Sequence, residues 1–271
     1  RSVTTSIKLP QTFTLVPQLP PVRDQGPYGT CAAQVASCMK EWQERKDVKF
    51  TSYMSPQFVY DNRINSSTSG MYARDVMSIL KNKGICPESM YPYANTTRQL
   101  TESVISTAKQ YVIKSYASIT TINGLKTALV TSGPCFIAFP VYNTGKTFWK
   151  NGRTLLGGHA VTVVGYDRTG FILRNSWGSK WGNRGYTTYP YSDWGRHWEI
   201  WTTIDEHTVY NNATSVKSTT TTAASNSSTL AIQATDPEIT PVVVPKKHVI
   251  TPSSTKNMKI FRNISQIKRS N

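Results

Sequence analysis

Val22-Arg-Asp-Gln25-Gly26-Pro-Tyr28-Gly29-Thr30-Cys31-Ala32-Ala33 is the stretch on which the reading turns. Its glycines punctuate a turn. Val35, Cys38, Met39 and Trp42 then follow at helical spacing, which predicts a helix over Cys31–Lys46. Gly29 and Thr30 stand where a turn and an N-cap belong. Cys31 is therefore expected in the first turn of a helix, where unpaired N–H groups and the positive dipole end favour an anion. The nucleophilic form of cysteine is the thiolate, and a thiol of ordinary pKa ~8.5 is mostly protonated at pH 7. Such a position suits an activated nucleophile. A lone cysteine at a helix start is more often structural, so the reading needs partners elsewhere in the chain.

Three further pieces supply them: Ser69-Gly-Met-Tyr-Ala-Arg-Asp75, Gly157-Gly-His159-Ala-Val-Thr-Val-Val-Gly-Tyr-Asp167 and Asn175-Ser-Trp177-Gly-Ser-Lys-Trp181-Gly-Asn-Arg-Gly-Tyr186. A neighbouring imidazole activates a thiol. His159 is the best candidate, since Gly157, Gly158 and Ala160 leave room for close approach. An imidazole needs a partner that sets its orientation and tautomer. Asn175 suits that role, with Trp177 covering the bond from water. Acyl transfer also needs donors aimed at the developing oxyanion. The Gln25 side chain and the Cys31 N–H are the two candidates.

In this order the pieces resemble the papain-like cysteine peptidases: Gln25-Gly26 with Cys31, His159-Ala160-Val161, and Asn175-Ser176-Trp177-Gly178 with Trp181-Gly182. His159 and Asn175 lie 128 and 144 residues after Cys31, near the ~130–150 residues of that family. The resemblance spans about residues 15–205. It implies an α+β, two-lobed fold with the active-site cleft between the lobes. The helical lobe is expected over about 22–108, and an antiparallel β-barrel lobe over about 109–210 plus the N-terminal segment. It implies a cysteine endopeptidase acting on peptide or protein, as a monomer, with no metal and no organic cofactor. Cys31 is then the nucleophile, His159 the acid and base, Asn175 the orienter and Gln25 the oxyanion donor. Gly70 and Met71 match the family's Gly-Gly segment, whose backbone pairs with the substrate chain. Ala73, Ala138 and Ala160 match positions lining the S2 pocket, and their size suggests room for a bulky apolar side chain. Gly158 and Trp177 join the substrate-binding set, and Trp181 matches an aromatic on the leaving-group side.

The chain also departs from the family pattern. Tyr28-Gly29-Thr30-Cys31-Ala32 stands where Cys-Gly-Ser-Cys-Trp is usual. That loses a common disulfide, and a reducing compartment, cytoplasm or virion, is expected over secretion. Met71 replaces the second Gly, which narrows the cleft. The Pro-Pro-Val-Arg-Asp-Gln-Gly opening (20–26) and the segment 189–205 look more like microbial and large-virus members. Two rivals stand against a peptidase. A transglutaminase-like enzyme would carry Asp in place of Asn175. A degenerate member serving as a binding or particle-associated component has no reason to keep all four chemical residues.

Composition sets the outer limits. Of 271 residues, 38% are hydrophobic and 11% aromatic, enough for a core and too many for a disordered chain. No run of ~18 apolar residues predicts a transmembrane helix. The net charge of +16 favours polyanionic partners. Four cysteines are too few for a disulfide scaffold. Cys31 and Cys38 would stand about 10 Å apart on one helix, beyond the ~7 Å limit for a bridge. Cys38, Cys86 and Cys135 read as small buried apolar residues, with a Cys86–Cys135 bridge left open. Residues 211–271 hold eight basic and two acidic residues, no Gly, Trp or Cys, and much Ser, Thr and Asn. They are expected to be an extended or disordered tail, read either as a solvated linker left from processing or as an anchor to nucleic acid or another polyanion. Further helices are predicted over Pro56–Asn62 behind a Ser55 cap, Tyr72–Lys83 ending at Gly84, and Asn123–Ser132. Strands are predicted over Cys135–Tyr142, His159–Asp167 and Gly170–Asn175, the last two joined by a tight turn. Helices ahead of strands argue for an α+β fold.

Overall fold

A computed structural model describes residues 7–205. The expectations for residues 211–271, and the boundary near 210, lie outside the described residues. Cys31 opens α1 (Cys31–Val48). This helix is buried on every face from Cys31 to Glu44, because helices pack against one side and the sheet against the other. Ala32, Ala33 and Ala36 keep its first turns thin. Its buried charges are paired, as burial demands. Lys40, wholly buried, lies 2.6 Å from Glu44 and 2.8 Å from Asp205. Glu41 accepts from the Met54 N–H at 3.0 Å and lies 3.4 Å from Arg23. Thr30 occupies the expected N-cap position, its carbonyl accepting from the Gln34 N–H at 2.9 Å. Its side chain makes no capping bond, and its hydroxyl sits 2.7 Å from the Tyr93 hydroxyl instead.

Ser55 does cap α2 (Pro56–Asp61), accepting from the Phe58 N–H at 3.0 Å. In α3 (Ala73–Asn82) Val76, Met77, Ile79 and Leu80 are buried. Gly84 ends that segment at φ +76°, pressed so close to the Ala108 carbonyl that a Cβ would sit 1.9 Å from its oxygen. α4 (Glu102–Ala108) was not predicted. α5 (Ile122–Ser132) starts one residue earlier than expected because Thr121 caps it, accepting from the Gly124 N–H at 3.0 Å.

The strands are β1 (Phe13–Thr14), β2 (Ser115–Ser118), β3 (Cys135–Val141), β4 (Gly157–Tyr166), β5 (Gly170–Arg174), β6 (Tyr186–Pro190) and β7 (Glu199–Ile204). All pair antiparallel, in the order β2-β7-β3-β4-β5-β6, with β1 added on β4. The β4–β5 turn is closed by Asp167, whose Oδ1 accepts from Thr169 and Gly170 N–H groups. In the β3–β4 ladder Ala138 faces Ala160, Phe139 faces His159 and Pro140 faces Gly158. One core joins α1 and α3 to Phe136, Ala138 and Ala160 of the sheet. A second, inside the sheet half, gathers α5 with Phe139, Phe148, Trp149 and Tyr189. All four cysteines are free and buried, so Cys86 and Cys135 are not bridged. Among the described residues no helix is long and apolar enough to cross a membrane.

Candidate active site

The turn before α1 brings Gln25 and Cys31 against two neighbours at once. Gly29 must lack a side chain, since a Cβ there would lie 2.3 Å from Ser69 Oγ and 3.0 Å from the Gly70 nitrogen. The nucleophile turn is thereby seated on the segment that leads to α3. Cys31 is 3% exposed. The Ala160 N–H reaches its thiol, as do the N–H groups of Ala32 and Cys31 itself. Ala160 follows His159 in β4, so the sulfur meets the sheet beside the histidine. The helix N-terminus was expected to lower the thiol's pKa. Burial outweighs the backbone donors and pushes it up to about 11.

His159, 1% exposed, is also wrapped. Trp177 stacks on it at 4.4 Å between ring centroids, and Phe148 meets it edge-on at 5.5 Å. Its Nε2 lies 2.7 Å from Asn175 Oδ1. That same oxygen accepts from the Ser176 N–H at 2.8 Å. A backbone N–H only donates, so the Asn175 oxygen, not its amide nitrogen, must stand there. An amide oxygen only accepts, so the proton of neutral His159 sits on Nε2 and Nδ1 is bare. Burial pushes the imidazole down to about 4, partly opposed by the bond to Asn175.

Gln25, 7% exposed, is held from three sides. Its Oε1 accepts from Ser176 Oγ at 2.7 Å, its Nε2 donates to the Tyr28 carbonyl at 2.9 Å, and its own carbonyl accepts from Tyr93 at 2.7 Å. One Nε2 proton remains beyond the bond to Tyr28. Ser176 thus ties the glutamine to the asparagine, a role that sequence reasoning missed although Ser176 lies inside a quoted motif. Tyr93 and Phe148 were also missed. Nothing in their local sequence marks them.

The other predicted residues fall around this centre in different ways. Gly70 takes φ +92°, and its backbone is engaged, the N–H donating to Tyr60 at 3.3 Å and the carbonyl accepting from Asn65 at 3.1 Å. Of the pair expected to bind substrate backbone, Met71 is the one that makes no hydrogen bond among the described residues. Ala73, Ala138 and Ala160 belong to one buried cluster and are 1%, 0% and 0% exposed. Gly158 is buried in β4 beside His159. Trp181 meets Trp177 edge-on at 5.5 Å and donates to the Thr144 carbonyl at 2.8 Å. Among the described residues no group of three or more His, Cys, Asp or Glu is placed to hold a metal.

Comparison with known proteins adds an independent line. Residues 10–230 match the family model described as papain family cysteine protease. Cysteine proteinase 3 of Entamoeba histolytica is 29% identical over 188 residues, covering 61% of this chain and 58% of that protein. A peptidase C1-like protein of Acanthamoeba polyphaga mimivirus is 30% identical over 216 residues, covering 68% of this chain and 67% of that protein. This chain therefore spans a little under three fifths of the Entamoeba protein and two thirds of the viral one. Among solved structures, xylellain, a cysteine protease from Xylella fastidiosa, superposes with a TM-score of 0.65 at 28% identity, covering 73% of this chain and 87% of that one.

Proposed function

Since the chain belongs to the papain family of cysteine proteases, we propose that it cleaves peptide bonds by acyl transfer through Cys31. The observation that carries this reading is the locked His159–Asn175 pair, which leaves a bare Nδ1 on an imidazole set beside the sulfur's own contact, Ala160. Alone, each group is neutral at pH 7, because burial opposes a lone thiolate and a lone imidazolium alike. A proton passed from sulfur to Nδ1 creates both charges together, and each then stabilises the other. The thiolate attacks the scissile carbonyl carbon, and the carbonyl's electron pair moves to oxygen. The free Nε2 proton of Gln25 and the Cys31 N–H receive that oxyanion. His159 gives its proton to the leaving amine, and the C–N bond breaks. It then takes a proton from water as the water oxygen attacks the acyl carbon; the C–S bond breaks, the acyl group leaves as an acid, and the proton on His159 returns to the sulfur. Asn175 keeps the ring in register throughout, and Trp177 shields their bond from water.

The test is covalent labelling. A peptidyl epoxide should modify Cys31 and leave Cys38, Cys86 and Cys135 untouched in peptide mapping. Cys31→Ala should abolish turnover with the unfolding midpoint retained. Turnover that survives this substitution refutes the assignment.

A further inference from the structure

The β3–β4 register carries a second feature beyond the catalytic centre. Pro140 and Gly158 face each other two residues along from Ala138 and Ala160. Side chains alternate along a strand, so Pro140 shares the sheet face of Ala138, which looks toward the helical half. A groove of about 470 Å3 opens at Pro140 and is lined by Tyr142, Lys150, Arg153 and Arg196, a volume within the range of ligand sites. The loop that forms it is anchored to the catalytic centre at two points. Phe148 abuts His159, and the Thr144 carbonyl takes the Trp181 indole N–H.

The groove's charge is one-sided. From residue 103 to residue 166 the chain has no Asp or Glu at all. A single carboxylate, the buried Asp193, serves two of the cations, Lys150 at 2.7 Å and Arg196 at 3.5 Å. Arg153 is exposed and has no ion pair among the described residues. Three cations around one carboxylate repel one another and leave a surplus that an incoming anion relieves.

From this placement we propose that the groove is a binding site for carboxylate side chains of the substrate, taking an acidic segment on the leaving-group side of the scissile bond. This rests on the peptidase reading and adds a substrate class to it. Arg153 is the principal recognition residue, since its guanidinium fork suits a carboxylate and nothing in the described chain occupies it. Arg196 and Lys150 are shared between Asp193 and the incoming acid.

The experiment separates the two readings. Binding is measured by fluorescence anisotropy on Cys31→Ala, so it does not depend on turnover, with peptides of one scissile sequence and a C-terminal extension bearing two Glu or two Gln. The Glu peptide should bind about fivefold more tightly at low salt, the effect of two exposed ion pairs, and the two peptides should converge at high salt. Arg153→Gln should cut the preference to about twofold, whereas Lys81→Gln, an equal charge change on the exposed face of α3, should leave it at fivefold. On the active enzyme kcat/KM should show the same ratio. Equal binding of both peptides, or a preference seen only with an N-terminal acidic extension, overturns the inference. So does a short oligonucleotide binding through Arg153 with no acidic-peptide preference. Acidic preference in binding without any turnover would strike the peptidase reading alone.

Discussion

His159 gives the sharpest test of how this site is built. Its ring is wholly enclosed, and burial lowers its pKa from 6.5 to about 4. Between those values the unfolded chain binds a proton that the folded chain refuses, so stability rises with pH across the window. The stabilisation is complete above 6.5 and is lost as pH falls toward 4. The gap corresponds to about 3 kcal/mol. That is a large share of the ~5–15 kcal/mol that holds a domain together. The perturbation is His159→Gln in a Cys31→Ser background, which removes self-cleavage. Glutamine retains an N–H donor for Asn175 while losing the titration. Urea unfolding followed by tryptophan fluorescence, at pH steps from 6.5 to 4, gives stability for both proteins. The parent should lose about 3 kcal/mol more than the His159→Gln protein over that range. His197, also lowered by burial, and the carboxylates act in both proteins and cancel in the difference. Parallel curves would refute the reasoning, because they would mean that His159 takes up its proton without unfolding.

Other consequences follow from named contacts. Ser176→Ala removes the donor to Gln25 Oε1. The loss of about 1 kcal/mol of positioning should lower kcat about fivefold with KM little changed, and an unaltered kcat in steady-state assays would remove Gln25 from the oxyanion site. Lys40→Met removes the buried ammonium that pairs with both Glu44 and Asp205 beside α1. It should destabilise the fold by about 3–5 kcal/mol in urea unfolding, with part of the loss recovered by adding Asp205→Leu. A cost near zero would show that the pair is solvated in solution.

How far the sequence could be read depended on whether a feature is local. α3 shows its stripe and its terminal glycine in the string itself, and Ser55-Pro56 announces α2 through backbone chemistry alone. β3 and β4 were found because they are apolar runs buried on both sides. The seven residues of α4 and the four of β2 are too short for a period to register. β6 and β7 mix Thr, Tyr and Trp on half-covered faces, where no apolar alternation separates strand from loop. The site divides in the same way. The candidates Cys31, His159, Asn175 and Gln25 stand out in the string because each sits in a motif whose residue types have few other uses together. Ser176, Tyr93 and Phe148 act through contacts across the chain, and no string position reveals them. The thiol is the clearest instance. A helix N-terminus lowers a cysteine's pKa when water is near, a local rule that the sequence can supply. Desolvation depends on how completely the two halves close over the sulfur, and only the fold reveals that. At 3% exposure it wins. Burial thus opposes a lone charge on Cys31 as it does on His159, and that opposition is a property of the closed fold, which the string around either residue does not carry.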